Sequence, residues 1–239
     1  LLKKKMKAVK SQEHRFEREK EDMTQAPDME KAIFVKITPE TRIPNGKIVL
    51  DYTQETLSAG GRVLASHISL RIVGPEKICI VGRNGAGKTT LLKQIAALLL
   101  SRPDLKAAYM PQDYEELLNM DQNPVEFLSA KGDKAEQTMI RTYLGSMRYT
   151  ADEMSHCIRE LSGGQKAKLL FLKMSLDGCN VLILDEPTRN FSPLSGPVIR
   201  QVLKSFDGAI ISISHDRKYI GEAVSAVYEL TENGLYRRV

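Results

Sequence analysis

The sequence predicts an α/β fold built on a mixed, mainly parallel sheet with helices on both faces. Three observations carry this. Short apolar runs at 77–81, 106–110, 181–184, 209–213 and 226–230 alternate with stretches of helical pattern. The runs Ile78–Val81, Val181–Leu184 and Ala209–Ile213 are almost wholly apolar, as strands covered on both faces are. The first run passes straight into a glycine-rich loop and then into an apolar-striped helix.

Residues 1–25 read as a separate unit. Lys3, Lys4, Lys5, Lys7 and Lys10 come before any acid, and acids then alternate with Arg15, Arg18 and Lys20. Leu2, Met6, Val9 and Phe16 make a loose helical stripe, so the segment is expected to be a basic, charged linker helix. Its bland reading is a solvated helix; its sharper one is an arm that touches nucleic acid phosphates. Ala26-Pro27 ends it, because the residue before proline disfavours helix. Residues 26–239 are expected to form one domain. The chain begins with Leu rather than Met, and a fragment of a longer protein is expected.

Pro39, Pro44 and Gly46 mark a connection, followed by expected strands at 48–52 and 63–72; the second alternates around Val63, Ile68, Leu70 and Ile72. Lys77–Val81 is the next strand, and Thr89–Leu100 a helix with Leu91, Leu92, Ile95, Leu98 and Leu99 apolar. Lys106–Met110 is a short strand ending at Pro111-Gln112. Residues 113–160 are expected to be mostly helical, with Pro124 at a first helical position. A helix follows Gly163-Gly164 to about Leu176. Then come strand Val181–Leu184, helix Pro197–Phe206, strand Ala209–Ile213 and a last strand, Ala226–Leu230.

Composition narrows the classes. No apolar stretch approaches the roughly 20 residues a membrane helix needs. Lys and Arg number 35 against 30 Asp and Glu, a modestly basic net charge of +5. Cys79, Cys157 and Cys179 are too few and too scattered for a disulfide or metal framework, which favours a reducing cytosol. No signal peptide is visible, since Leu1-Leu2-Lys3-Lys4-Lys5 lacks an apolar core.

The chemistry is concentrated in four motifs. Gly82-Arg83-Asn84-Gly85-Ala86-Gly87-Lys88-Thr89 is a P-loop, followed by Thr90. Its glycines let backbone N–H groups wrap a phosphate chain, Lys88 reaches the terminal phosphates, and the Thr89 hydroxyl can sit on Mg²⁺. The loop joins a strand to a helix N-terminus, where dipole and free N–H groups favour an anion. Next come Leu161-Ser162-Gly163-Gly164-Gln165, then Leu182-Ile183-Leu184-Asp185-Glu186-Pro187, then Ser214-His215-Asp216. Asp185 ends a buried strand, where an ionised carboxylate needs a partner. Taken singly, Asp185-Glu186 could be a solvent-facing pair, His215 a neighbour of a helix cap, and Gln112 any loop glutamine.

In this order and spacing, the four motifs resemble the ATP-binding cassette (ABC) ATPases, and the match runs from about Ile48 onward. The resemblance implies a P-loop NTPase fold with an antiparallel β subdomain and a short helical signature subdomain. It implies Mg²⁺-dependent ATP hydrolysis, with ATP bound by Gly82–Thr90. Thr89, Asp185 and Gln112 would serve the metal, Glu186 would be the general base for the attacking water, and His215 the switch residue at the γ-phosphate. Lys88 would neutralise charge on the β- and γ-phosphates. Leu161–Gln165 would be the signature, closing the ATP of a second cassette packed head to tail, so the partner is another cassette, in the same parent chain or a homodimer.

Three features resemble the ABC-F group, whose members act on ribosomes. Only 49 residues separate Gln112 from Ser162. Ser214-His215-Asp216-Arg217-Lys218-Tyr219-Ile220 is similar to that group's switch segment. The charged helix precedes the cassette as the group's interdomain linker does. The resemblance implies the second cassette of a cytoplasmic tandem protein, with ribosomal RNA as partner and translation as target. Its members include antibiotic-resistance factors that protect ribosomes. The alternative is the ATPase subunit of a membrane transporter, and a third class is a module that closes on ATP without turnover. Two departures stand out. Leu57-Ser58-Ala59-Gly60-Gly61 has no aromatic where the family stacks adenine. Arg189-Asn190-Phe191-Ser192-Pro193 replaces Asn-His-Leu-Asp after Thr188, so the family's coupling aspartate is absent at Ser192.

Overall fold

The computed structural model describes residues 37–113, 116–191 and 195–238. The expected linker helix over 1–25, the domain start at 26, and Ser192-Pro193 lie outside them.

Two long strands open the domain. β1 (Ile48–Ala59) and β2 (Arg62–Val73) pair antiparallel, with Ala59 opposite Arg62. The two-residue turn is Gly60-Gly61, with φ of +57° and +77°. Turns with both central residues left-handed match the twist of a hairpin, and glycine takes that conformation without a Cβ penalty. β1 was expected to stop at 52. It runs seven residues further because its polar outer positions still pair along the length of β2.

A six-stranded sheet carries the rest, in the order β4-β5-β6-β3-β7-β8. Its strands are β3 (Lys77–Val81), β4 (Ala107–Met110), β5 (Val181–Asp185), β6 (Ala209–Ile213), β7 (Ala226–Thr231) and β8 (Gly234–Arg238). All neighbours are parallel except β7 and β8, which form a closing hairpin. The α/β fold and the mixed, mainly parallel sheet are as the sequence predicts; β8 is an addition, too short and too charged to stand out.

Strand alternation splits the core between the two faces. Val181, Ile183, Ile211, Ile78 and Ile80 pack with Leu91, Leu92, Ile95 and Leu99 of α1 (Lys88–Leu100) and with the hairpin residues Leu57, Ile68 and Leu70. Leu182, Leu184 and Ile210 face the opposite layer, with Leu169, Leu170 and Phe171 among the core residues that join them. Every residue of β5 and β6 is buried, which is why both read as unbroken apolar runs.

The segment 113–160 departs from the expectation of mostly helix. Among its described residues, only α2 (Pro124–Leu128), α3 (Lys134–Ser146) and a short 3₁₀ turn (Ile158–Glu160) are helical. Polar residues restart the chain each time: Asn123 caps α2 in a capping box with Glu126, and Asp133 caps α3. Between them, the Glu136 carboxylate accepts from the Ser129 hydroxyl and from the N–H groups of Ala130, Lys131 and Gly132. That closed loop is incompatible with a continuous helix. The remaining helices are α4 (Gly163–Leu176), α5 (Gly196–Ser205) and α6 (Arg217–Ala223). α6 was not expected; Asp216 starts it by accepting from the N–H groups of Lys218 and Tyr219.

Candidate functional site

Four neighbouring parallel strands, β4, β5, β6 and β3, end at the same edge of the sheet, where ligands of open α/β sheets bind. Each end delivers one predicted residue or motif. β3 leads into Gly82–Lys88, β4 to Gln112, β5 to Asp185-Glu186 and β6 to His215. They surround a cavity of about 870 Å³ lined by Asn84, Gly85, Gly87, Lys88, Thr89, Thr90, Gln112, Asp185, Glu186, Thr188, Arg189 and His215.

The loop over α1 is shaped by glycine. Gly82 has φ +150°, and a Cβ there would lie 2.6 Å from the Leu230 carbonyl oxygen. At Gly87, with φ +94°, a Cβ would press to 3.0 Å on Leu57 and Leu64 of the hairpin. Close packing on both sides therefore sets the path of the loop. Gly87 is also the N-cap of α1, with no side-chain cap and no acid in the first turn. α2, α3, α4 and α6 all have side-chain caps, so α1 keeps its positive end available to an anion. Lys88 is buried, and its ammonium donates to the carbonyls of Gly82 at 2.9 Å and Arg83 at 3.0 Å. Two of three donors fix the side chain, and the third remains to reach a phosphate.

Asp185 is 2% exposed, and its Oδ2 has no hydrogen-bond partner. Burial raises its pKa, while the Thr89 hydroxyl bond, Lys93 and Lys88 pull it down. An unpaired, buried carboxylate oxygen beside a threonine hydroxyl and Gln112 is an oxygen-donor set of the kind Mg²⁺ takes, so the residues fit that ion. Glu186 follows with φ +52°, a left-handed conformation rare for a residue with a side chain. Its N–H donates to Ile213 O at 2.9 Å, tying the turn to β6. The His215 N–H donates to its Oε2 at 3.3 Å, and His215 Nε2 lies 3.6 Å from Oε1. Acid and histidine thus form one unit across two strand ends. Behind it, the buried Ser212 hydroxyl donates to Ile78 O and accepts from the Tyr219 hydroxyl, while burial pushes the nearby Cys79 thiol up to about 11.

Of the remaining predicted residues, Arg83 and Ala86 line an adjoining cavity of about 690 Å³ with Arg62, Val63 and Leu64, and no aromatic residue lines it. Gly82 stays behind the loop, against β7. The signature residues Leu161–Gln165 do not line the cavity that Lys88 enters. Ser162 caps α4: its Oγ accepts from Gln165 N at 3.3 Å and Gln165 Oε1 accepts from Ser162 N at 2.8 Å. Gln165 is held in turn by Glu153 Oε1 and by the Tyr149 hydroxyl on its carbonyl. Thr188, Arg189 and Leu64, which no motif role covers, also line the main cavity. A charged residue just after Asp185-Glu186-Pro187-Thr188 was the signal for Arg189.

The fold and this edge define a P-loop nucleotide-binding cassette. The profile of the ABC transporter family matches residues 65–189. Over 209 residues the chain is 30% identical to "ABC transporter F family member 5" of Arabidopsis thaliana, covering 84% of this chain and 30% of that protein. It is 31% identical over 183 residues to the "Probable ATP-binding protein YheS" of Escherichia coli K12, covering 73% and 29%. It is also similar to a solved dimer of the ATP-binding cassette MJ0796 in a post-hydrolysis state with ADP and Pi, with a TM-score of 0.63, 17% identity, and coverage of 81% of this chain and 95% of that one. That likeness bears on the fold. The chain belongs to the ABC transporter family, on its F branch. It spans about a third of the length of the relatives it matches. No described helix is long and apolar enough to cross a membrane.

Proposed function

We propose that this chain binds Mg²⁺-ATP at the strand edge and hydrolyses it to ADP and phosphate when paired with a second cassette. The convergence of Lys88, Gln112, Asp185, Glu186 and His215 on one cavity carries the reading. Lys88 and the open end of α1 bind and orient the phosphates. Thr89, Asp185 and Gln112 would hold Mg²⁺, which neutralises phosphate charge when bound. Glu186 accepts the proton of the attacking water, and His215 holds that carboxylate in line. Positioning and charge stabilisation are what phosphoryl transfer chiefly requires.

The signature serves the opposite site in this reading. Ser162 and the start of its helix do not line the chain's own cavity, and Gln165, Glu153 and Tyr149 brace them. Activity of the chain should therefore rise more steeply than linearly with concentration until pairing is complete. Glu186→Gln should abolish turnover with ATP binding intact, and Ser162→Arg should abolish turnover too. A linear dependence that survives Ser162→Arg would refute the paired mechanism.

The whole protein is proposed to be a cytoplasmic tandem-cassette protein that acts on the ribosome. Membership of the F branch and the lysines from Lys3 to Lys20 support this. With Glu186→Gln and its counterpart in the other cassette, the parent should co-sediment with ribosomes in ATP. Fractionation with a membrane permease instead would favour the transporter alternative.

A further inference from the structure

A second cavity of about 460 Å³ adjoins the nucleotide cavity. Four residues line both: Thr89, Gln112, Asp185 and Arg189. The first three are the candidate metal ligands. Arg189 is thus at the seam where the metal and the terminal phosphate would meet.

Its position is fixed by a tight turn. The Arg189 N–H donates to the carbonyl of Glu186 at 3.1 Å, so the residue is tethered to the candidate base. On its other side, Asn190 rests on the start of the signature helix: its carbonyl oxygen would be 3.1 Å from a Cβ at Gly164.

Four of the acids around the two cavities have other partners, and Asp113 also lines the second cavity. Glu116 pairs with Lys93 at 2.9 Å. Asp216 is taken up by the amides that start α6. Glu186 is bonded to His215, and Asp185 to Thr89. Among the described residues, no ion pair holds Arg189. An exposed arginine that lines both cavities and has no ion pair among the described residues has one strong use. It can donate a pair of charge-assisted hydrogen bonds to a phosphoryl group.

We propose that Arg189 is a cation supplied from the same chain to the γ-phosphate of ATP, and that it helps this site to discriminate ATP from ADP. The inference rests on the ATP reading above. Such an arginine stabilises the charge spread over the transferred phosphoryl oxygens. ADP, which lacks that group, gains nothing from it.

The test is calorimetric titration of Mg-ATP and Mg-ADP into the chain and into Arg189→Ala, Arg189→Gln and Arg189→Lys. Arg189→Ala and Arg189→Gln are expected to weaken ATP by about tenfold and leave ADP unchanged, as loss of a charge-assisted hydrogen bond does. Arg189→Lys should restore part of the difference. Melting without nucleotide should not move, because the side chain is exposed; if Arg189→Ala alone melts early, Arg189→Gln carries the comparison. Equal loss for both nucleotides, or no loss for either, would overturn the assignment while the ATP reading stands. Failure of the unaltered chain to bind either nucleotide would instead remove the ATP reading.

Discussion

Asp185→Asn should make the protein more stable without Mg²⁺ and less responsive to it. The carboxylate is 2% exposed and its Oδ2 has no partner. Asparagine keeps an oxygen for the Thr89 hydroxyl and replaces the charged oxygen with a neutral amide. An unsatisfied buried acceptor costs about 1–3 kcal/mol, and each kcal/mol moves the melting temperature of a domain this size by about 2–4 °C. The variant should therefore melt about 2–12 °C higher in EDTA at pH 7. The sign with pH follows from the raised folded pKa. Between the ordinary value of 3.8 and the raised one, the folded state holds a proton that the unfolded state has released. Stability then falls as pH rises through that window, and the penalty is complete above it. The advantage of the variant should be full above that window and vanish below the unfolded value. Adding Mg-ATP should reverse the ranking, because only the carboxylate gains a cation. Scanning calorimetry across pH, with EDTA and with Mg-ATP, reads all of this. A variant that melts at or below the parent in EDTA, or gains as much from Mg-ATP, would refute the claim that Asp185 is a poised metal ligand.

Other consequences follow from the same structure. Gly82→Ala sets a Cβ 2.6 Å from a backbone carbonyl, whereas Gly85→Ala meets nothing within 4 Å at φ +80°. The first should lose about 3 kcal/mol or more by chemical denaturation and the second about 1 kcal/mol; equal losses would contradict the close-packing account. Glu136 is held down at about 2, first by the Ser129 hydroxyl and then by the loop amides. Its stabilising contribution is present above the ordinary 4.5 and lost as pH falls through about 2, so Glu136→Gln should flatten the acid unfolding profile in that window. An unchanged profile would show that the loop does not depend on the charge. Tyr219→Phe removes the bond to Ser212 but leaves Ser212 donating to Ile78, so a loss near 1 kcal/mol is expected; a loss of several kcal/mol would mean the pair carries more than one bond.

The buried strands were legible because nothing polar interrupts them. Val181–Leu184 and Ala209–Ile213 have neighbours on both faces, and their sequences show it. The P-loop was legible for a related reason: Gly82, Gly85 and Gly87 sit where φ is positive, and no other residue makes that pattern cheaply. The far half of β1 was hidden, since most of its residues are polar and Leu57 alone among them is buried in the core. The region 113–160 misled because Glu136, Asn123 and Asp133 look like helix or turn residues until their side-chain bonds are seen. Arg189 shows the remaining gap. Its chemistry was visible as a departure from the family pattern, but its place between two cavities depends on the left-handed turn at Glu186, which no local propensity announces.

The most direct test of the account is calorimetric titration of Mg-ATP into the chain and into Lys88→Ala. Lys88 is fixed by the carbonyls of Gly82 and Arg83, so its removal takes away the charge that faces the phosphates and leaves the strand edge otherwise in place. The account predicts saturable binding by the parent and none detectable in the variant, both folded by circular dichroism. Equal affinity in the two proteins would contradict it.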